Sequence, residues 1–316
     1  MTAPRTGSRI VSLGHYQPAR VLTNAELATM VDTSDEWIRS RVGITTRHIA
    51  AEDEALDEMA AHAARKALAE GGIDPAAVDY VIVATCTAVD RSPNIAARVA
   101  RRLGLSAPVT IDINTACSGF THALATADQA IRAAAASTAL VIGAEKMSDF
   151  TDWTDRTTCV LVGDGAGAAV LTAAARAAVG PVHWGSVPEL SSAVRIEGPD
   201  GKFAQDGPSV FRWTTHALPR VAREVCERSG IAPAELGAIV LHQANLRIIE
   251  PLAERIGATE AVVARDVVES GNTSAASIPL ALSKMVQRRE VPSGAPVLLF
   301  GFGGGLAYAG QVVRCP

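Results

Sequence analysis

The segment GGIDPAAVDYVIVATC, Gly71 to Cys86, returns as SGIAPAELGAIVLHQA, Ser229 to Ala244, 158 residues further along a 316-residue chain. Whatever unit the first half builds, the second half is expected to build again. In each copy an Ala-rich helical stretch (MAAHAARKALAE, then LPRVAREVCER) passes through a glycine turn into a short apolar strand. That is the order of α/β architecture. A second echo, LVGDGAGAAVL (Leu161 to Leu171) and LFGFGGGLAYAG (Leu299 to Gly310), reads as strand, glycine turn, strand in both halves. Two duplicated α/β halves are expected, 1–174 and 175–316, joined through the Ala-rich connection Ala173 to Val179.

Neither glycine turn reads as a nucleotide loop. A phosphate-binding loop passes from a strand into a helix whose N-terminus faces the phosphate, and here each turn is followed by another strand-like stretch. Glycines at such a turn still let backbone N–H groups approach a ligand closely. Charge is nearly balanced, 29 Lys+Arg against 33 Asp+Glu. That argues against nucleic acid or a membrane surface as partner and leaves any acidic partner to a local basic patch. The opening MTAPRTGSRI lacks the apolar centre of a leader peptide, and no apolar run reaches the roughly 18 residues of a membrane span, so the cytoplasm is the expected location. Five scattered cysteines (Cys86, Cys117, Cys159, Cys226, Cys315), with no C-x-x-C and no histidine at zinc spacing, imply free thiols and no metal centre.

In DINTACSGF, Asp112 to Phe120, a cysteine lies between an apolar stretch that reads as a strand, Val109 to Ile113, and a small-residue run that reads as a helix, Ser118 to Ile131. At a helix N-terminus, backbone N–H groups and the helix dipole favour a thiolate by about 0.3–1 kcal/mol when exposed and up to about 2 when partly buried. At about 1.4 kcal/mol per pKa unit, the dipole lowers a thiol pKa by at most roughly 1.5 units. A working nucleophile therefore needs a second helper, and taken alone Cys117 is more simply a buried structural residue. His242, in IVLHQANLRII, follows the strand of the second repeat at its carboxyl end, where crevices of α/β sheets open. In VESGNTSAASIPLAL a Gly-Asn-Thr-Ser turn feeds another small-residue helix, and Asn272 there lies 155 residues beyond Cys117, close to the repeat spacing. Alone, the histidine would be a hydrogen-bonded structural residue and the asparagine a cap. With Cys117, they fall at strand-to-helix transitions that a duplicated α/β fold brings to one face.

These residues belong to a set of stretches, VDTSDEWIRSRVGITTRHIA, ACSGFTHALATADQ, TDRTT…GDGAGAAVL, HQANLRII and GNTSAAS. In them, and in their order, the chain resembles the β-ketoacyl-[acyl-carrier-protein] synthase III family of the thiolase superfamily over nearly its whole length. The resemblance implies a thiolase-like α/β fold of five layers, αβαβα, built from two pseudo-symmetric halves, and a homodimer. It implies that Cys117 takes an acyl group from acyl-CoA as a thioester, while His242 and Asn272 hydrogen-bond the thioester carbonyl of malonyl-acyl carrier protein. As CO2 leaves, these donors would stabilise the enolate that attacks the acyl-Cys thioester, starting a fatty acid or polyketide chain. Backbone N–H groups of Cys117 and Gly304 would form the oxyanion hole. No metal or redox cofactor is implied. Trp37 and Arg156 would sandwich the CoA adenine with Thr33 and Arg41 nearby, and Asn245 would lie near the pantetheine arm. Arg212 and Arg247 would dock the acidic carrier protein. Without the resemblance, Thr33 and Glu36 read as a capping box and Trp37 as packing.

Two kinds of departure from the family pattern stand out. Ser92 (in DRSPN, expected to reach across the dimer) and Val162 (in VLVGDG) stand where many members carry a bulky aromatic beside the acyl pocket. The pocket is therefore expected to be deeper or wider than acetyl needs, accepting a branched, longer or unusual primer. Glu250 and Glu254 interrupt a helix that is more basic in relatives, and His183 to Val210 matches the family only weakly. Other readings stay open. Acyl transfer from Cys117 to an alcohol or amine would need a general base but no enolate site, so Asn272 beside His242 argues against it. In a silent acyl-CoA-binding protein Cys117 would alkylate no faster than Cys159 or Cys226. A degradative thiolase would want a second reactive cysteine near the C-terminus, and Cys315 lies outside any Gly-rich loop.

Overall fold

The computed structural model describes residues 7–198 and 200–316. The opening MTAPRT, read above for a leader peptide, lies outside them. The repeat becomes two five-stranded mixed sheets. In the first, β1 (Gly7–Tyr16), β2 (Tyr80–Ala84), β3 (Val109–Ile113), β4 (Thr138–Lys146) and β5 (Asp164–Ala174) lie in the order β1-β5-β4-β2-β3. In the second, β6 (His183–Ser186), β7 (Ala238–Leu241), β8 (Val262–Val263), β9 (Pro296–Gly303) and β10 (Ala307–Arg314) lie in the order β6-β10-β9-β7-β8. The two orders are the same with each strand number raised by five. Pairing directions agree as well, antiparallel twice and then parallel twice from β1 to β3 and from β6 to β8.

Eight helices matter for the site: α1 (Asp35–Val42), α2 (Leu56–Gly71), α3 (Ile95–Leu103), α4 (Gly119–Arg132), α5 (Gly207–His216), α6 (Leu218–Arg228), α7 (Leu246–Ile256) and α8 (Ser277–Gln287). The central strands are apolar on both faces because each sheet is covered on both sides. In β2, Val81 and Val83 pack with α2 and α3, while Tyr80, Ile82 and Ala84 pack with α4 and α8. In β7, Ile239 and Leu241 pack with α6 and α7, while Ala238 and Val240 turn to the same α4 and α8 layer. The layers are thus α2 and α3, the first sheet, α4 and α8, the second sheet, then α6 and α7. This is the thiolase-like αβαβα arrangement. Helix α2 settles close to its sheet because the residues it presents at spacings of three and four, Ala60, Ala63, Ala64 and Ala67, are small and fully buried.

Two details depart from the sequence reading. Leu299 to Gly310 does form a strand, a single 3-10 turn (Gly304–Leu306) and a strand, but Leu161 to Leu171 contains only the second strand, β5. Ahead of it, the hydroxyls of Thr157 and Thr158 donate to the Asp155 carboxylate and wind the chain into turns, and Val162 makes an isolated parallel bridge to Asn272. The second correction concerns register. Ala116–Ser118 and Ser274–Ala276 are both single 3-10 turns leading into α4 and α8, and Ala116 and Ser274 share a φ of 46°. They are 158 residues apart. Symmetry therefore pairs Asn272 with Asn114 and Cys117 with Ala275, in place of the 155-residue pairing of Cys117 with Asn272.

Candidate active site

The site is built on this duplicated turn. Asn114 Oδ1 accepts the N–H of Ala116 at 3.3 Å, and Asn272 Oδ1 accepts that of Ser274 at 2.9 Å. Such a turn fixes which end of the amide is free: with Oδ1 held, Asn272 Nδ2 is left to donate. Both turns open on one cavity of about 440 Å³ whose wall includes Asn114, Cys117, Asn272, Ser274 and Gly304. Its size is that of a small-molecule pocket.

Cys117 is 9% exposed. Burial pushes its thiol above the ordinary pKa, while hydrogen bonds from the Ser274 hydroxyl and from the N–H groups of Gly304 and Cys117 itself pull it back. The dipole expected to lower this pKa is therefore outweighed by desolvation, and the resting sulfur is protonated. A Cβ on Gly303 would stand 2.5 Å from Cys117 Cβ and 2.8 Å from Sγ, so only a glycine lets β9 lie against Cys117.

His242, at the end of β7, is not among the residues lining that cavity and is 2% exposed. Its N–H donates to Phe300 O at 2.9 Å, and its ring meets Phe302 edge-on with centroids 5.5 Å apart. Nδ1 is 2.9 Å from Ser277 Oγ, which also accepts the Gln243 N–H at 3.3 Å. When the Ser277 hydroxyl donates to Nδ1, the neutral imidazole carries its proton on Nε2. Burial lowers the pKa of His242 to about 3, so the ring is neutral at physiological pH.

The remaining predicted residues fall in two groups. Arg156 stacks on Trp37 with its guanidinium carbon 5.3 Å from the ring centroid, and its Nη1 donates to Asp32 O at 2.9 Å. The Thr33–Glu36 capping box is not formed. Ser34 caps α1 instead, its Oγ accepting the Trp37 N–H at 3.1 Å, and Thr33 Oγ1 is buried without a partner. Arg41 is exposed one turn beyond Trp37. Asn245 caps α7 by accepting the Ile248 N–H at 3.1 Å, and α7 begins beside α1. Arg212 and Arg247 are both exposed, on α5 and α7, which pack together. Glu250 is paired with Arg265 at 3.2 Å.

Ser92 is exposed and Val162 is fully buried against the backbone of Asn272. The apolar wall consists of other residues, among them Met147, Val194, Ile196 and Phe203. The last three come from the weakly matching stretch, where Val194–Arg195 and Ala204–Gln205 pair as a small hairpin. Sequence reasoning also missed Cys86, Ser274 and Ser277. Only the two serines carried a signal, the echo of NTACS in NTSAAS. All five cysteines are free. Among the described residues no group of three or more His, Cys, Asp or Glu could hold a metal, and no helix is long and apolar enough to cross a membrane.

Known proteins share this architecture. The family model described as 3-oxoacyl-[acyl-carrier-protein (ACP)] synthase III matches residues 111–188, and its C-terminal counterpart matches residues 226–315. The chain is 69% identical over 313 residues to β-ketoacyl-[acyl-carrier-protein] synthase III 4 of Streptomyces coelicolor, covering 98% of this chain and 99% of the relative. It is 69% identical, with the same coverage, to synthase III 2 of Streptomyces avermitilis. Among solved structures it is similar to the priming β-ketosynthase from the R1128 polyketide biosynthetic pathway (TM-score 0.96, 39% identity, 100% of this chain and 98% of that one). It is also similar to 3-oxoacyl-[acyl-carrier-protein] synthase III from Aquifex aeolicus (TM-score 0.92, 39% identity, 98% of this chain and 100% of that one). With this identity sustained over nearly the whole length, on the same fold, the chain is an acyltransferase belonging to the 3-oxoacyl-[acyl-carrier-protein] synthase III family.

Proposed function

We propose that this enzyme condenses an acyl-CoA primer with malonyl-acyl carrier protein, with loss of CO2, through a thioester on Cys117, and so starts a fatty acid or polyketide chain. One observation carries the reading. Cys117, Gly304 and Asn272 line one cavity, and Asn272, its Oδ1 already held by the Ser274 N–H, has Nδ2 left to donate. In the first step the Cys117 sulfur attacks the acyl-CoA carbonyl, the bond to the CoA sulfur breaks, and CoA leaves as the thiol with the proton Cys117 gave up. In the second, the malonyl C–C bond to the carboxylate breaks, CO2 departs, and the electron pair moves into an enolate whose oxygen receives Nε2–H of His242 and Nδ2–H of Asn272. Preorganised donors of this kind stabilise developing charge by about 3 kcal/mol each. The enolate carbon then attacks the acyl-Cys carbonyl, the oxyanion is held by the Cys117 and Gly304 N–H groups, and collapse returns the Cys117 thiolate, which is reprotonated from solvent.

A histidine with a pKa near 3 donates a hydrogen bond well but is a weak base. This favours the enolate role over acyl transfer to an alcohol or amine, which would ask His242 to remove a proton at neutral pH. In this reading residues 1–174 supply Cys117 and residues 175–316 supply His242 and Asn272. The CoA adenine takes the place of the Arg156 guanidinium on Trp37, with Thr33, Arg41 and Asn245 along the rest of the cofactor-like substrate, and Arg212 and Arg247 meet the carrier protein. No metal or redox group takes part. Edge strand β3 exposes Val109 (48%) and Ile111 (37%), an apolar edge suited to pairing with a second copy, so the working unit is a cytoplasmic homodimer. Met147, Val194, Ile196 and Phe203 give the cavity an apolar lining, with Ser92 of the second copy beside it, which favours primers larger than acetyl.

The test is intact-protein mass spectrometry after incubation with acetyl-, butyryl- and isobutyryl-CoA, followed by peptide mapping. The expected result is an acyl adduct on the Cys117 peptide, greater for the four-carbon chains. An adduct on any other peptide overturns the mechanism, and acetyl labelling as well as or better than the larger chains overturns the pocket.

A further inference from the structure

Glu145, near the end of β4, is fully buried, and no step above uses it. Its carboxylate accepts the Cys86 N–H (3.2 and 3.1 Å to the two oxygens), the Cys86 thiol (3.3 Å), the hydroxyls of Thr85 (3.0 Å) and Thr87 (2.6 Å), and the Ala275 N–H (3.3 Å). Every donor is neutral. A carboxyl group meets these donors with two oxygens, whereas a glutamine would offer one oxygen and set an NH2 against the remaining donors. Burial pushes the Glu145 pKa above the ordinary carboxylate value, and the hydrogen bonds from Thr87, Cys86 and Thr85 pull it part of the way back.

Two of the donors are informative by position. Ala275 belongs to the 3-10 turn that carries Ser274 and follows Asn272. Cys86 follows β2 in the other half, lines the cavity, and places its sulfur 3.6 Å from Ser274 Oγ. Strand β4 holds the other side of the same turn, for a Cβ on Gly143 would stand 2.3 Å from Ala275 O. β4 therefore meets the turn twice, accepting its N–H at Glu145 and lying close against its C=O at Gly143.

We infer that Glu145 is the positioning residue of the condensation step, drawing Cys86 of one half and Ala275 of the other onto one carboxylate and so aiming the Asn272–Ser274 turn at Cys117. The inference rests on the function proposed above. It also has a signature that a purely structural residue lacks, because the carboxylate charge adds to the proton affinity of Cys117. Removing that charge at constant shape lowers the Cys117 pKa.

The experiment compares full-length wild type and Glu145→Gln in three measurements: iodoacetamide alkylation of Cys117 against pH, acyl adduct formation from butyryl-CoA, and CO2 release from malonyl-acyl carrier protein by the acylated enzyme. Expected are an alkylation profile moved to lower pH, adduct formation within about twofold of wild type, and CO2 release reduced about tenfold or more, since displacing an oriented group by 1 Å costs up to about a hundredfold. CO2 release equal to wild type, a loss shared equally with adduct formation, or an unmoved alkylation profile would overturn the inference. Should Glu145→Gln not fold, Thr87→Val removes the 2.6 Å donor and leaves the charge in place. A selective loss of CO2 release then supports the inference and an unselective one overturns it. A wild type that forms no adduct or releases no CO2 fails the proposed function instead, and the substrate-free alkylation profile still tests Glu145.

Discussion

At the scale of single residues, protonation states are set by burial more than by the helix termini on which the residues sit. Cys117 rests as a thiol because desolvation outweighs its donors, and the reactive thiolate forms only as pH rises. Alkylation of Cys117 followed by peptide mass is therefore expected to keep climbing above pH 9, past the ordinary thiol value of about 8.5. A plateau reached by about pH 8 would contradict the desolvated thiol. His242 titrates near 3, so it stays neutral and CO2 release from pre-acylated enzyme is expected to be flat between about pH 5.5 and 8. A fall centred near 6.5 would show an ordinary histidine. In the proposed mechanism the Ser277 hydroxyl, 2.9 Å from His242 Nδ1, donates there and keeps the imidazole proton on Nε2, and Ser277→Ala removes it. A lost hydrogen bond of about 1 kcal/mol corresponds to a drop of about fivefold in CO2 release, with adduct formation unchanged. Cys117, His242 and Asn272 were legible in the sequence because each sits at a transition marked by small residues and glycine. Glu145 was not, since its partner Ala275 lies 130 residues away and leaves no local pattern.

At the scale of elements, the strand-to-helix turns do the positioning. Val109–Ile113 was readable as a strand to the residue, and the helix after it to within one residue at each end, because apolar alternation and small-residue runs are local signals. The 3-10 turns were not readable, and with them went the true repeat register, since an Asx turn depends on where one side-chain oxygen points. The first glycine echo misled for the same reason, its first half being held by Asp155 and not by a sheet. The second glycine turn is the more constrained of the pair. Gly303→Ala would force its Cβ into Cys117, displacing β9 or the nucleophile by several tenths of an ångström. Adduct formation from acyl-CoA is expected to fall by about a hundredfold, while the far-ultraviolet circular dichroism stays that of wild type. Acylation at the wild-type rate would show that the close approach has no part in the chemistry.

At the scale of the whole molecule, duplication gives two sheets that meet through a shared helix layer, and the site forms where the two turns come together. The two duplicated halves followed from the 158-residue repeat, and the layering from the family resemblance. The hairpin supplying Val194, Ile196 and Phe203 did not, because its apolar residues are too few to show a period. The exposed edge of β3 predicts that Ile111→Lys, which sets a charge on an unpaired strand, yields a monomer by size-exclusion chromatography with light scattering. A dimer that survives this substitution would place the interface elsewhere. The central claim is that carbon–carbon bond formation passes through acyl-Cys117. It is tested most directly by isolating butyryl-labelled enzyme free of CoA, adding malonyl-acyl carrier protein, and following the mass of both proteins in a single turnover. The account predicts that the acyl mass leaves the Cys117 peptide and appears on the carrier protein together with loss of CO2, as a 3-oxoacyl thioester. An adduct that persists on Cys117, or a carrier that gains the acyl mass while keeping its malonyl carboxylate, would contradict it.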